Sequence, residues 1–200
     1  DLKTINQIRK DGIHFLFDLS GHTAKNRLPI FINKPAPIQV SWAGYNGSTG
    51  IPEIDYLIGD PIVTPASENN YYTEKIFPLP NIWVCFSPPN FEVKLDELPV
   101  TKNRYITFGC FNNLSKINNK VISLWSRILK EIPKSKIFLK TKELNDSYLK
   151  ERIINNFQKN DINLDSLILE GSSPRKELLD TYNKIDIALD PFPYSGNVTS

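Results

Sequence analysis

The chain has 200 residues, 40% of them apolar and 11% aromatic, with 24 Lys and Arg against 22 Asp and Glu. This composition excludes an intrinsically disordered chain, a collagen-like repeat and a disulfide-rich scaffold. No apolar run approaches the roughly 20 residues of a membrane-spanning helix, so no membrane partner is expected. The chain begins at Asp1, contains no Met and opens with no export signal. We therefore expect an internal piece of a longer cytoplasmic protein.

Short strands and helices are predicted in the first half of the chain. The run at residues 14–19 is almost continuously apolar, which is typical of a strand buried on both faces. Pro29 lies inside a helical pattern and is expected to kink or shorten that helix. Three glycines in residues 44–50 predict a loop where a ligand can approach the backbone closely. The predicted helices cover 3–10 and 24–33, and the predicted strands cover 14–19, 37–42 and 55–59.

A proline-containing stretch separates the two halves. Residues 87–104 contain three prolines and no helical period, which indicates a linker. The second half then alternates strands with helices, which predicts a parallel sheet and a Rossmann-like α/β domain. We place the first domain at 1–90, the linker at 91–103 and the second domain at 104–200. The predicted strands there are 104–110, 136–140, 166–170 and 185–190, and the predicted helices are 118–132, 145–158 and 174–183.

Three loops of the second half are candidates for ligand binding, because ligands of open parallel sheets bind beyond the carboxyl ends of the strands. Loop A (111–116), loop B (171–175) and loop C (191–200) are polar and rich in small residues. Loops A and B also carry the cations Lys116 and Arg175, and a cation beside a helix N-terminus is suited to holding a diphosphate. Small polar residues also serve turn geometry alone, so a phosphate site and an ordinary set of turns both stay open.

Several catalytic motifs are absent from the sequence. No G-x-G-x-x-G follows a strand and no G-x-x-x-x-G-K-[ST] occurs, so neither a nicotinamide cofactor nor a P-loop is supported. No Asp-x-Asp occurs, so no metal is expected. A nucleotide-sugar enzyme of this kind would neutralise its leaving diphosphate with Lys, Arg and backbone N–H groups. Residues 101–200 carry a net charge of +5 without dense basic stripes, so no nucleic-acid partner is expected.

Six motifs follow one another along nearly the whole chain. They are DLSGHT at 18–23, KPAPIQVSWAGY at 34–45, IGD at 58–60, PLPN at 78–81, FNNLSKI at 111–117 and DIALDPFPYSG at 186–196. In content, order and spacing they resemble the catalytic region of O-linked N-acetylglucosamine (O-GlcNAc) transferases, a family that includes the SPINDLY-like protein glycosyltransferases.

The resemblance implies a GT-B-type α/β architecture with two Rossmann-like domains, both incomplete here. Residues 1–90 correspond to the later part of the acceptor-side domain, and residues 104–200 to the first part of the UDP-sugar domain. The implied activity is inverting, metal-independent transfer of N-acetylglucosamine from UDP-GlcNAc to Ser or Thr of a polypeptide, with no cofactor. Tetratricopeptide repeats often adjoin such domains. The family's general base would precede Asp1 and its ribose-binding helix would follow Ser200, so this piece alone is expected to be inactive.

The resemblance also implies a diphosphate site. Lys116 matches the family lysine that contacts the donor diphosphate and stabilises the leaving group, and Asn113 stands nearby where the animal enzymes have Gln. An ordinary surface lysine before a helix is the alternative for Lys116. The diphosphate loop of the family is matched by Gly196, Asn197, Val198 and Thr199.

A uracil-binding stretch is implied in loop B and the helix after it. Arg175 replaces a family Lys, and an ordinary exposed cation in a first helical turn is the alternative. Leu178 stands where the animal enzymes stack a His on the base, so the stacking ring is missing at this position. Ala43 and Gly44 match the pair beside the sugar. The matched residues of the uracil-binding stretch are Ser173, Pro174, Arg175, Leu178 and Thr181.

Alternatives to this activity stay open. Within enzymes, the donor could carry another hexose or the acceptor could be Asn. From a different class, a non-catalytic nucleotide-sugar sensor is favoured by Leu178 and Val198, which lack groups that the family uses on the donor. His14, Cys85 and Cys110 are predicted to lie in the core, the two cysteines in reduced form.

Overall fold

The computed structural model describes residues 1–85 and 87–196. The chain divides after Pro88 into two compact units. Each unit contains a four-stranded sheet whose paired strands are parallel. The α/β class with parallel sheets, predicted from the alternation of strands and helices, is confirmed. No helix within the described ranges is long and apolar enough to cross a membrane.

The first unit contains the strands β1 Phe15–Asp18, β2 Ile38–Ser41, β3 Tyr56–Gly59 and β4 Lys75–Pro78, and the helices α1 Leu2–Lys10 and α2 Leu28–Phe31. Its sheet has the strand order β1-β2-β3-β4, so neighbours in the sheet are also neighbours in the chain. The predicted helix over 24–33 is reduced to one turn, because Pro29 occupies its first turn, where a missing N–H is tolerated. Strand β4 and a 3-10 helix at Ala66–Tyr71 were not predicted.

The two faces of β1 differ in burial. Ile5 of α1 and Phe31 of α2 belong to a buried cluster against which Leu16 packs. Phe15 and Phe17 alternate with Leu16 and are 58% and 45% exposed. The predicted burial of this strand on both faces is therefore wrong. Successive side chains of a strand point to opposite faces, and only the Leu16 face carries helices α1 and α2.

Two further predictions of burial in the first unit are wrong. His14 and Cys85 are exposed. Both have apolar sequence neighbours, but His14 precedes β1 and Cys85 lies in an irregular segment after β4. Cys110, at the end of a central strand of the second unit, is buried as predicted, and both cysteines are free thiols.

The second unit contains the strands β5 Thr107–Cys110, β6 Lys136–Lys140, β7 Leu167–Glu170 and β8 Ile187–Ala188, and the helices α3 Pro99–Asn103, α4 Asn119–Glu131, α5 Ser147–Gln158 and α6 Arg175–Thr181. Its sheet has the strand order β7-β6-β5-β8. The strands and helices predicted after residue 104 are confirmed in type, mostly with shorter bounds. The short helix α3 was missed, because it lies in the stretch assigned to the linker and begins with a proline.

Side chains of β6 alternate between two buried clusters, as the period of a strand requires. Ile137 and Leu139 pack in a large cluster that includes Trp125 of α4 and Phe157 of α5. Phe138, which lies between them in sequence, belongs to a smaller cluster. This central strand is thus buried on both faces. The ends of the strands are the places where polar side chains can reach a ligand.

Candidate functional site

The candidate site is the carboxyl edge of the second sheet. Because its strands are parallel, β5, β6, β7 and β8 all end on this edge, and loops A, B and C leave from it. Gly196 belongs to the described part of loop C. Asn197, Val198 and Thr199, which the sequence assigned to the diphosphate, lie outside the described residues.

Lys116 joins loop A to loop C. It ends a 3-10 turn, Leu114–Lys116, just before α4. Its Nζ donates to the backbone oxygen of Ser195 at 2.8 Å and lies 4.9 Å from the centroid of the Tyr194 ring. The structure therefore brings together two of the three loops that the sequence selected, with one partly exposed ammonium between them.

Asn118 makes a second link between these loops. Its Oδ1 accepts from the backbone N–H groups of Lys120 and Val121 and so caps α4. Its Nδ2 donates to the backbone oxygen of Phe192 at 3.1 Å. The helix cap thus fixes the position of loop C as well as the start of the helix. Sequence reasoning did not select this residue, although Asn before a helical pattern is an N-cap signal.

Asn113 is exposed and ties loop A to the segment after β6. Its Oδ1 accepts from the Ser115 N–H at 2.8 Å, and its Nδ2 donates to Glu143 Oε1 at 2.9 Å. Glu143 in turn accepts a short hydrogen bond from the Thr141 hydroxyl. The segment after β6 was missed from sequence because it lacks the small residues of the other loops. Its position after a strand of the parallel sheet was the available signal.

The Asp190 carboxylate links Gly196 of loop C to the segment after β5. Asp190 Oδ1 accepts from Asn112 Nδ2 at 3.1 Å and from the Gly196 N–H at 2.8 Å. Asn112 is 2% exposed and lies two residues after the end of β5. Beside it, burial raises the pKa of the Cys110 thiol above its ordinary value, which keeps the thiol neutral. Asp190 and Asn112 lie inside the matched motifs, but neither was assigned a role from the sequence.

Loop B contains a buried hydroxyl and an exposed cation. The Oγ of Ser173 is buried and has no hydrogen-bond partner among the described residues. Ser172 is tied to the segment after β6, because its Oγ accepts from Asn145 Nδ2 at 3.0 Å. Pro174 precedes α6, and Arg175 begins that helix with its side chain exposed.

Two residues of the predicted uracil-binding stretch point into the unit. Leu178 is partly buried and packs against the cluster of Phe111, Phe138 and Ile185. Thr181 is buried, and its hydroxyl donates to the backbone oxygen of Glu177 at 2.6 Å. Their side chains therefore contribute to the packing of α6 on the sheet.

A buried lysine ends β6 on the same edge. Lys140 is 6% exposed and its Nζ lies 3.0 Å from Glu170 Oε2 at the end of β7, while Lys184 lies 3.7 Å from the other carboxylate oxygen. Burial alone would raise the pKa of Glu170, but hydrogen bonds and charge from the two lysines lower it below its ordinary value. This ion pair joins the end of the central strand β6 to the end of the edge strand β7, and sequence reasoning missed it.

In the first unit, Ala43 and Gly44 follow β2. Ala43 has a φ of 63°. A Cβ on Gly44 would lie 2.4 Å from backbone atoms of Ser20, so only glycine fits against that turn. The turn itself is held by buried Asp18, which accepts from the N–H groups of Ser20 and Gly21. The two backbone segments after β1 and β2 therefore pack directly on each other.

The comparisons with known proteins agree on one family. Residues 2–87 match the profile of glycosyl transferase family 41. The chain is 37% identical over 150 residues to a probable UDP-N-acetylglucosamine–peptide N-acetylglucosaminyltransferase SPINDLY of Petunia hybrida, covering 75% of this chain and 16% of that protein. A solved structure, a mutant O-GlcNAc transferase of Thermobaculum terrenum, matches all of this chain and 38% of that chain, with a TM-score of 0.90 and 35% identity. This chain belongs to the O-GlcNAc transferase and SPINDLY family.

The family predicted from the six motifs is thus confirmed, and so is the GT-B-type α/β class. A probable UDP-N-acetylglucosamine–peptide N-acetylglucosaminyltransferase SEC of Arabidopsis thaliana is also 36% identical over 146 residues, covering 68% of this chain and 14% of that protein. The chain therefore spans 14–16% of the length of these two plant relatives. The assigned site residues lie within the part of the chain that aligns with this solved structure.

Proposed function

We propose that the protein containing this chain transfers N-acetylglucosamine from UDP-GlcNAc to Ser or Thr hydroxyls of a polypeptide, with inversion and without a metal or cofactor. The names of the plant relatives support the donor and the peptide acceptor. One contact carries the proposal, the hydrogen bond of 2.8 Å from Lys116 Nζ to the Ser195 carbonyl. It places a single ammonium between the two loops assigned to the diphosphate.

The chemistry that this lysine serves is a single displacement. The acceptor oxygen forms a bond to C1 of the sugar while the bond between C1 and the β-phosphate oxygen breaks. The acceptor proton passes to a base, and we assign none of the described residues to that role. Negative charge grows on the departing UDP. We place its β-phosphate between the Lys116 ammonium and the N-terminus of α4, which both favour an anion.

Loop B is proposed to hold the uracil end of the donor. The buried Ser173 hydroxyl has no protein partner among the described residues, and a buried polar group of this kind calls for a partner such as a ligand. Arg175 adds an exposed cation at the start of α6. The packing of Leu178 and Thr181 favours a supporting role beneath the helix over contact with the base.

The resemblance also suggests where the whole protein works. We propose a cytoplasmic protein that carries adjoining tetratricopeptide repeats and has a polypeptide, not a nucleic acid or a membrane, as its partner. Fractionation of cells and the complete reading frame test these two points directly.

The activity is tested by incubating the full-length gene product with UDP-GlcNAc and a peptide that contains Ser and Thr. Mass spectrometry should show addition of one N-acetylhexosamine, alkaline β-elimination should release it, and nuclear magnetic resonance should show the inverted anomer. The matched control is the same peptide with every Ser and Thr replaced by Ala. Transfer from a different nucleotide sugar, or to Asn, would correct the donor or the acceptor. Donor binding without turnover would instead indicate a nucleotide-sugar sensor.

A further inference from the structure

Asp190 and Lys116 hold opposite ends of the same peptide group. The Ser195 carbonyl accepts from Lys116 Nζ at 2.8 Å. The Gly196 N–H, which belongs to the same peptide plane, donates to Asp190 Oδ1 at 2.8 Å. The orientation of this plane therefore decides whether a carbonyl or an N–H faces the ammonium.

The carboxylate that fixes the plane is itself fixed. Asp190 follows β8, whose pairing with β5 is continued by a hydrogen bond of 2.7 Å from the Leu189 N–H to the Gly109 carbonyl. Asn112 lies two residues after β5, and its buried side-chain amide donates to Asp190 Oδ1 at a distance of 3.1 Å. The carboxylate is thus attached to the two adjacent strands of the sheet, and the peptide of loop C takes its orientation from them.

We infer that Asp190 is a positioning residue for the Lys116 ammonium, acting through the Ser195–Gly196 peptide group. A charged acceptor on the N–H polarises the peptide and strengthens the hydrogen bond on its carbonyl. The ammonium is therefore aimed before the donor arrives, as preorganised stabilisation of a leaving group requires. This inference rests on the proposed function, because Lys116 has a leaving group to stabilise only there.

The second unit contains a matched carboxylate for comparison. Asp186 also accepts backbone hydrogen bonds, from the Val100 and Thr107 N–H groups, each at 2.8 Å. It lies before β8, at the end of the sheet opposite to loop C, because Thr107 begins β5. Removal of Asp186 should cost stability as removal of Asp190 does, but it should leave the Lys116 ammonium in place.

The test is a double-mutant cycle in the full-length gene product, with kcat and KM for UDP-GlcNAc measured for each variant. We expect Asp190→Ala to lower kcat about 10- to 100-fold, the effect of losing one charge-assisted hydrogen bond, with a smaller change in KM. In a Lys116→Ala background the same substitution should have almost no further effect on kcat. Asp186→Ala should change kcat by the same factor in the wild-type and Lys116→Ala backgrounds, within about twofold.

Conservative variants separate positioning from folding. Asp190→Asn keeps an acceptor oxygen and should retain more activity than Asp190→Ala. Asn112→Ala should lower kcat in the wild-type background and have almost no further effect on kcat in the Lys116→Ala background. If Asp190→Ala does not fold, as judged by circular dichroism, the cycle is run with these two variants. Equal effects of the Asp190 substitution in both backgrounds would overturn the inference and leave the proposed function intact. Normal turnover by Lys116→Ala would overturn the leaving-group role itself.

Discussion

Removal of the Lys116 ammonium is the most direct perturbation of the proposed leaving-group site. The ammonium has a defined position, 2.8 Å from the Ser195 carbonyl and 4.9 Å from the Tyr194 ring centroid. Deleting one preorganised donor to a developing anion typically costs about 3–4 kcal/mol, or about 10²–10³ in rate. We therefore expect Lys116→Ala to lower kcat by about that factor.

Binding of UDP should change less than kcat. Charge on the β-phosphate increases as the sugar departs, so the ammonium is worth more in the transition state than in the ground state. The contacts proposed for Ser173 and Arg175 also remain in the variant. Isothermal titration calorimetry with UDP gives the dissociation constant, and release of labelled UDP in the presence of peptide gives kcat.

A matched lysine provides the control. Lys159 is exposed and caps the carboxyl end of α5, so Lys159→Ala should leave kcat and UDP affinity unchanged. Lys116→Arg tests geometry separately, because it keeps the charge but changes the shape of the donor. Turnover should also persist in EDTA. Normal kcat in Lys116→Ala, or activity abolished by EDTA and restored by Mg²⁺, would refute the assignment.

Three smaller predictions concern stability and donor contacts. Glu170→Gln should destabilise the second unit by about 1–2 kcal/mol in urea denaturation followed by circular dichroism, because it leaves the buried Lys140 ammonium without a charged partner. The loss is modest because the Glu170 carboxylate is partly exposed and its charge is partly screened by solvent. Because folding lowers the pKa of Glu170, this stabilisation is present above about pH 4.5 and is lost as the pH falls through the folded-state pKa. The free energies of unfolding of wild type and variant should therefore become equal in acid. Gly44→Ala should destabilise the first unit by about 1–3 kcal/mol, since its Cβ would lie 2.4 Å from the Ser20 backbone, and an unchanged melting temperature would contradict this. Ser173→Ala should weaken UDP binding about 3- to 10-fold without loss of stability, because its hydroxyl has no partner within the described chain.

The sequence by itself determined the types of most elements and the family. Strand and helix periods are local properties, and the alternation after residue 104 was sufficient to predict a parallel sheet with its ligands at one edge. Motifs at fixed spacing identified the family and selected Lys116. Local patterns did not predict burial correctly where it depends on which elements cover a strand, as for Phe15 and Phe17. An apolar strand has the same sequence pattern whether one or both of its faces are packed.

Only the tertiary structure decided which of the selected loops meet. Lys116 and Ser195 are 79 residues apart, and Asn112 and Asp190 are 78 residues apart. They come together because β8, the last strand of the unit, pairs with β5, the first, in the order β7-β6-β5-β8. The burial of Thr181 also depends on how α6 packs on that sheet. Strand order and helix packing are set by the competition of whole apolar faces for burial, and no short stretch of sequence carries that information.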